Sequence, residues 1–197
     1  PRTLTMTIYG DMDLSIIREK PNIRKPVKTY SKLDNKIEDV INFVKKEIQF
    51  GNQIFWVCPL IEESKKIDHT SAVKKSEYLK KIFPNEVYLL HGKTTIDEKE
   101  KILNKFVKNE FKILVSTTII EVGIDFPNAN VIVIENANKF GLSQLHQLRG
   151  RVGRGNKEST CILMFKSNLS DNAKKRINIL KGSNDGFKIS EEDMKLR

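Results

Sequence analysis

The sequence contains few of the residues that bind metals. It has two cysteines, Cys58 and Cys161, and three histidines, none of which lies near either cysteine in the chain. Both cysteines fall inside apolar runs that are typical of buried strands. A zinc site needs a closely spaced set of such ligands, so the composition argues against one. We interpret the cysteines as buried free thiols and expect a reducing, cytoplasmic location.

Long hydrophobic runs are absent as well. No apolar stretch approaches the roughly 20 residues that a membrane-spanning helix needs, and the start of the chain has no signal-peptide pattern. We therefore expect no membrane partner. The length of 197 residues is enough for one ordinary domain with extensions, and 39% hydrophobic and 30% charged residues are typical of a globular protein.

A complete nucleotide-phosphate loop is also missing. Gly92-Lys93-Thr94 has the ending of the G-x-x-x-x-G-K-[ST] loop, but the first glycine would stand at position 87, which is Val87. Residues 131–135 similarly imitate a strand that ends in a metal-binding carboxylate, yet no phosphate loop accompanies them. We interpret both runs as ordinary parts of a sheet and predict no metal ligands in this chain.

Positive charge is abundant. Lys and Arg total 35 against 25 Asp and Glu, which gives a net charge of +10. This balance favours a polyanionic partner, with nucleic acid first among the choices. A composition rich in lysine, asparagine and isoleucine can equally reflect the base composition of a genome, so the charge alone leaves the partner open.

Apolar periodicity predicts alternating strands and helices. Strands are expected at 27–30, 54–58, 87–90, 113–115, 131–134 and 161–165, with helices between them. The predicted helix starts are Asp34, Glu62, the capping box of Thr95 and Glu98, Ser170 and Ser190. Such alternation predicts an α/β fold with a parallel sheet covered by helices on both faces.

The pattern divides the chain into three segments. Residues 1–25 have little periodicity, which indicates the exit from a preceding domain and a linker. Residues 26–168 contain the predicted sheet, and residues 169–197 contain a helix, a turn and a second helix that stops. The first residue is Pro1 rather than an initiator Met, so we expect a piece of a longer chain.

The most informative stretch is QLHQLRGRVGRG at residues 144–155, where three arginines alternate with three glycines. We expect Ser143 to cap a short helix that Gly150 ends, so that the following turn holds the guanidinium groups at fixed angles. Guanidinium binds phosphate bidentately, and 27 of the 35 basic residues here are lysine, so arginines in this place indicate a need for that geometry. A solvated basic loop is the alternative.

This stretch resembles the last motif of the superfamily 2 helicases, Q-x-x-G-R-x-G-R. The matching residues are Gln147, Gly150, Arg151, Gly153 and Arg154. The longer form is similar to the RecG family and to the transcription-repair coupling factor. The run YGDMDL at 9–14 and the ending VGRG favour the RecG family. Residues 183–197 also favour the RecG family, because they resemble the start of that family's helical translocation hairpin.

The resemblance implies a RecA-like second motor domain that supplies half of a split active site. ATP and Mg²⁺ would be held mainly by a first motor domain outside this chain. Arg151, Arg154 and Gln147 would face the nucleotide and act in catalysis, with Gly123 and Asp125 facing it from another segment. We expect this half-site to be inactive as an ATPase on its own.

The resemblance also implies residues that bind DNA. Residues 114–127 resemble a helicase motif in which the positions of Thr117 and Thr118 contact DNA phosphates, and His91-Gly92 is another landmark of the family. The alternatives are a helix-cap role for Thr117 and a structural hydrogen bond for His91. Because ligands bind at the carboxyl ends of parallel strands, we expect these residues and the arginine stretch to share that edge.

The function implied by the resemblance is that of an ATP-dependent DNA helicase that remodels branched DNA, namely stalled forks and Holliday junctions. Arg176 and Arg197 would belong to the translocation hairpin and couple ATP hydrolysis to movement. The partners would be branched DNA and the preceding RecA-like and wedge domains of the same chain, in a monomer. The alternatives are the motor of the coupling factor and a non-enzymatic DNA-binding module.

Overall fold

The computed structural model describes residues 25–59, 65–117 and 126–196, with residues 65–70 as backbone only. The predicted exit segment 1–25 therefore lies almost wholly outside these ranges. The predicted site residues Thr118, Gly123, Asp125 and Arg197 also lie outside them.

Six strands of the described chain form one sheet in which every neighbouring pair is parallel. Their order across the sheet is β1-β6-β5-β2-β4-β3. The central strands β2 and β5 are buried at every position, which explains why they are predicted from continuous apolar runs. The bounds are β1 Lys28–Leu33, β2 Gln53–Val57, β3 Val87–Leu90, β4 Ile113–Ser116, β5 Ala129–Ile134 and β6 Thr160–Phe165.

Helices cover both faces of the sheet, as predicted. Their bounds are α1 Ile37–Gln49, α2 Lys65–Ile82, α3 Ile96–Val107, α4 Leu142–Arg149, α5 Asp171–Gly182 and α6 Gly186–Lys195. Short 3₁₀ helices lie at Asp34–Lys36 and Ala137–Lys139. The first two α-helices lie on one face and the other four on the opposite face. The fold prediction, an α/β protein with a covered parallel sheet, is confirmed.

Each face of the sheet has its own hydrophobic core. On one side Val44 of α1 and Leu79 of α2 belong to a cluster with Trp56 of β2, and all three are fully buried. On the other side Phe106 of α3 and Leu145 of α4 belong to a cluster that includes alternate residues of the same strands. Because side chains alternate across a strand, a strand with apolar residues at every position supplies both cores.

Two predicted helix caps are confirmed, and in both the capping side chain bonds to a residue nearby in sequence. Thr95 and Glu98 form the predicted capping box at the start of α3. Ser170 accepts a hydrogen bond from the Ala173 backbone N–H at 3.3 Å and caps α5 as predicted. In both cases the acceptor and donor are three residues apart, so neighbouring sequence alone determines the cap.

Three other predicted helix starts are wrong. Asp34 opens the 3₁₀ helix instead of capping α1. The helix containing Ser190 begins at Gly186, because the Asp185 carboxylate already accepts from the Phe187 N–H at 2.9 Å. Ser143 lies inside α4, where its hydroxyl donates to Asp193 Oδ2 at 2.6 Å instead of serving as a cap.

The two cysteines are free and buried, as predicted. Burial raises the pKa of the Cys161 thiol to about 12 and also raises the pKa of Cys58. A thiol with a raised pKa stays protonated at neutral pH and is a poor nucleophile. The cysteines therefore contribute packing to the sheet rather than chemistry.

Candidate functional site

The arginine loop, defined as residues 150–159, lies at the amino edge of the sheet. The Lys28 N–H, at the start of β1, donates to the Ser159 carbonyl at 2.9 Å. A Cβ atom built on Gly155 would lie 3.2 Å from the carbonyl oxygen of Pro127, just before β5. The prediction that this loop shares the carboxyl edge is wrong, because α4 carries the chain back across the sheet before β6 begins.

The loop turns sharply at Gly153. This residue has φ +76°, a conformation that favours glycine. A Cβ at this position would also lie 3.1 Å from the Val27 side chain and 3.4 Å from the Ser159 side chain. Both the backbone angle and the close approach therefore require glycine here, and the turn presents the arginines on either side of it.

Arg151 and Arg154 lie on either side of Gly153, and their positive charges influence each other. Burial lowers the pKa of Arg151, and the charge of Arg154 lowers it further. The Arg151 Nε atom is buried, with no hydrogen-bond partner among the described residues. A buried donor without a partner is costly, and two guanidinium groups repel each other. An anion bound between them would relieve both costs.

The third arginine of the stretch has a different role. Arg149 is buried, and its Nη1 donates to the carbonyls of Leu180 at 2.6 Å and Ser183 at 2.8 Å. Its Nη2 lies 3.0 Å from His146 Nδ1. The expectation that the arginines as a group present guanidinium to phosphate therefore fails for Arg149, which joins α4 to the end of α5.

The carboxyl edge carries the described part of the predicted DNA-binding set. Thr117 follows β4 and is buried, and its hydroxyl oxygen has no hydrogen-bond partner among the described residues. His91 follows β3, and its Nδ1 accepts from the Lys93 N–H at 3.1 Å. The His91 N–H donates to Thr94 Oγ1, also at 3.1 Å, so the histidine has the structural bonds that the alternative interpretation expects.

Gly92 is exposed in the turn after β3. Among the described residues beyond its chain neighbours, no atom lies within 4 Å of the place where a Cβ on Gly92 would stand. Acceptance of a hydrogen bond at Nδ1 leaves Nε2 as the protonated nitrogen of a neutral His91 ring. The two predicted regions are thus separate: Thr117, His91 and Gly92 lie at one edge of the sheet, and Arg151 and Arg154 lie at the other.

Comparison with known proteins shows which family the chain belongs to. Residues 35–156 match the family described as the helicase conserved C-terminal domain. The chain belongs to this helicase family. It is 47% identical to the ATP-dependent DNA helicase RecG of Bacillus subtilis (strain 168), and 50% identical to RecG of Aquifex aeolicus (strain VF5). Both alignments cover all of this chain, but 29% and 25% of those proteins.

A solved structure of RecG bound to a three-way DNA junction has the same fold. It superposes with a TM-score of 0.83 at 44% identity, covering all of this chain and 26% of that one. The RecA-like fold and the resemblance to RecG are therefore confirmed. The helicase domain described here spans between a quarter and three tenths of the length of these relatives.

Helix α4 connects the arginine loop of this helicase domain to the last two helices. A Cβ on Gly186, at the start of α6, would lie 3.0 Å from His146 Nε2 in α4. Ser143 of α4 is bonded to Asp193 of α6, as described above. Arg176 of α5 donates to the Phe140 carbonyl at 2.8 Å, just before α4 begins. The described residue of the predicted coupling pair therefore contacts the segment leading into α4.

The sequence held a signal for the role of Arg149 that the prediction missed. Leu142, Leu145 and Arg149 have the i, i+3, i+7 spacing of one helix face, and the two leucines are fully buried. An arginine on such a buried stripe needs acceptors inside the protein. Gln147 lies off this stripe and is exposed, as a residue facing a ligand from outside would be.

Within the described ranges, no three or more His, Cys, Asp or Glu side chains come together as metal ligands. Glu135, which follows β5, accepts from Trp56 Nε1 at 2.9 Å and pairs with Lys75 Nζ at 2.8 Å. Its charge is therefore already matched by the protein. No helix in the described part of the chain is long and apolar enough to cross a membrane.

Proposed function

We propose that this chain is the second motor domain of an ATP-dependent DNA helicase that remodels branched DNA, such as stalled forks and Holliday junctions. Identity of 47% and 50% to RecG proteins over the whole chain supports this function. It also favours the RecG branch over the coupling factor. The observation that carries the proposal is the pair Arg151 and Arg154 on either side of the Gly153 turn, with the Arg151 Nε buried and unpartnered among the described residues, in a sequence without a phosphate loop.

In this proposal the active site is split between two domains. ATP and Mg²⁺ are held mainly by a first RecA-like domain of the same protein. Bound Mg²⁺ supplies charge neutralisation on the phosphate oxygens. Arg151 and Arg154 donate hydrogen bonds to the phosphoryl group as its charge develops, and Gln147 completes that face. Gly123 and Asp125 contact the nucleotide from the segment that precedes Phe126.

The opposite edge of the sheet holds the DNA strand. Thr117 and Thr118 contact DNA phosphates, and His91 and Gly92 contribute from the neighbouring turn. The buried hydroxyl of Thr117, which has no hydrogen-bond partner among the described residues, supports this assignment. A net charge of +10 adds a sequence-independent attraction for the DNA backbone.

Movement follows from a cleft that closes when ATP binds and opens after hydrolysis. Arg176 and Arg197 couple the arginine loop to the translocation hairpin, and the contacts of α4 with α5 and α6 support a rigid link. The partners are branched DNA and the first motor and wedge domains of the same chain, which acts as a cytoplasmic monomer and not at a membrane.

Hydrolysis of ATP by the full-length protein, measured with and without forked DNA, tests the arginine pair. We expect Arg154→Ala to lower the DNA-stimulated kcat by about 10³-fold or more while ATP still binds, because an arginine finger acts mainly on the transition state. The matched control is Lys108→Ala, which removes an exposed positive charge at the end of α3. Normal turnover by Arg154→Ala would refute the split-site mechanism.

A further inference from the structure

A chain of buried polar side chains lies beneath the arginine loop. Asn130 stands among apolar residues of β5 and is fully buried. Its Oδ1 accepts from the Ser159 hydroxyl at 3.2 Å, and its Nδ2 donates to Asn52 Oδ1 at 2.9 Å. The same nitrogen lies 3.3 Å from the carbonyl oxygen of Asn128, and Asn52 Nδ2 donates to the Glu47 carboxylate at 2.6 Å.

Only one assignment of donors and acceptors fits this series of hydrogen-bonded side chains. An ionised carboxylate and a backbone carbonyl only accept, so Glu47 requires the nitrogen of Asn52 and the Asn128 carbonyl requires the nitrogen of Asn130. The Asn130 oxygen must then face Ser159, whose hydroxyl donates. Reversal of either amide would place acceptor against acceptor. The orientation of the amide that Ser159 binds is therefore set by Glu47 and the Asn128 carbonyl, both outside the arginine loop, and Lys157 of the loop donates to the same Asn52 Oδ1 at 3.4 Å.

Asn130 forms hydrogen bonds to two stretches of chain near the proposed nucleotide site: the end of the arginine loop and the stretch that follows Asp125. Ser159 is the last residue of the arginine loop, and its Oγ lies 3.4 Å from where a Cβ on Gly153 would stand. Asn128 belongs to the stretch 126–128 that follows Asp125, and the carbonyl of its neighbour Pro127 faces Gly155. One buried amide thus holds these two stretches against each other.

We propose that Asn130 and Ser159 are positioning residues for ATP hydrolysis. Through their hydrogen bond, the arginine loop keeps a fixed position relative to residues 126–128, so that Arg151 and Arg154 meet the phosphoryl group at the correct place. Neither residue contacts the nucleotide. This inference rests on the proposed function of the arginine pair. A displacement of about 1 Å in such a group can lower the rate roughly 10²-fold.

Buried amides also stabilise folds, so the test needs a control of equal burial. Gln53 provides it: its side chain is buried at the same amino edge, and its Nε2 donates to the carbonyls of Phe106 at 2.7 Å and Phe111 at 2.9 Å. None of these three residues belongs to the arginine loop. Gln53→Leu therefore removes a buried amide with two bonds while it leaves the loop anchor intact.

The experiment compares Ser159→Ala, Asn130→Leu and Gln53→Leu in the full-length protein. It measures the DNA-stimulated kcat, the ATP dissociation constant and Tm. We expect kcat to fall about 10-fold in Ser159→Ala and up to about 10²-fold in Asn130→Leu, with ATP affinity changed by less than about threefold. Gln53→Leu should lower Tm and retain kcat below its melting temperature. Ser159→Ala removes only one hydroxyl, so it remains informative if Asn130→Leu does not fold.

The same substitution on the Arg154→Ala background separates the two proposals. If Ser159 acts through the arginines, Ser159→Ala should change kcat less than about twofold once Arg154 is gone. An unchanged kcat in Ser159→Ala, or equal losses with and without Arg154, would overturn the positioning role while the arginine mechanism stands. Normal turnover in Arg154→Ala alone would instead refute the proposed function on which the positioning role rests.

Discussion

At the scale of single residues, three arginines that look alike in sequence occupy two different environments. Arg149 is buried and bonded to backbone carbonyls, while Arg151 and Arg154 lie on either side of Gly153 on the loop. What separates them is the direction in which each side chain leaves the backbone. The helix ends at Arg149, so that residue still follows the buried face of α4, whereas the turn that begins at Gly150 redirects the next two.

The role of Arg149 predicts a loss of stability when its guanidinium is removed. Arg149→Met keeps most of the apolar stem but leaves the carbonyls of Leu180 and Ser183 without a donor. We expect the free energy of unfolding to fall by about 2 kcal/mol, since relief of a buried charge offsets part of the lost bonding. Urea unfolding of the chain measures it. Lys181→Met, an exposed control on α5, should stay within about 0.5 kcal/mol of the parent.

At the scale of elements, local signals predicted the strands, the helices and the caps at Thr95 and Ser170. They failed where the deciding partner was distant in sequence. Ser143 binds Asp193, which is 50 residues away, and no pattern around Ser143 indicates that partner. The prediction that the arginine loop lies at the carboxyl edge was wrong for a related reason. The sequence pattern around the loop does not show that α4 returns the chain to the amino edge before the loop begins.

The contact of α4 with α6 predicts opposite effects for two glycines. A Cβ on Gly186 would meet His146 Nε2 at 3.0 Å, and His146 is held on its other nitrogen by Arg149. Gly182 stands at the end of α5, and apart from its chain neighbours and its own helix backbone, no atom in the described part of the chain lies within 4 Å of a Cβ placed there. Gly186→Ala should therefore lower the free energy of unfolding by about 1 kcal/mol. Gly182→Ala should raise it by about 0.5 kcal/mol.

Denaturant unfolding of both glycine variants beside the parent chain gives the comparison. The two substitutions add the same methyl group to neighbouring helices, so intrinsic helix propensity alone would move both in the stabilising direction. Equal stabilisation would show that His146 moves aside at no cost and that α4 and α6 are loosely joined. Opposite signs would show that the contact between these helices is rigid enough to transmit a displacement.

At the scale of the whole molecule, the two edges of one sheet divide the proposed tasks. The carboxyl edge has Thr117 and His91, and the amino edge has the arginine loop and the buried amides beneath it. A single rigid sheet between them would convert a change at the nucleotide into a displacement at the DNA. The family and fold were accessible from the sequence because the motif residues are contiguous; their distribution over two edges was not.

The proposed split of the active site between two domains predicts that this chain alone does not hydrolyse ATP. Phosphoryl transfer needs a phosphate loop, a Mg²⁺-binding acid and a positioned nucleophile, and this sequence has Val87 where that loop would need its first glycine. Purified chain with forked DNA should show turnover at least ~10³-fold below that of the full-length protein under the same conditions. Activity that remains constant per milligram through successive purification steps would contradict the prediction. Such a result would mean that the arginine loop, with Gly123 and Asp125, binds and activates ATP without a second domain.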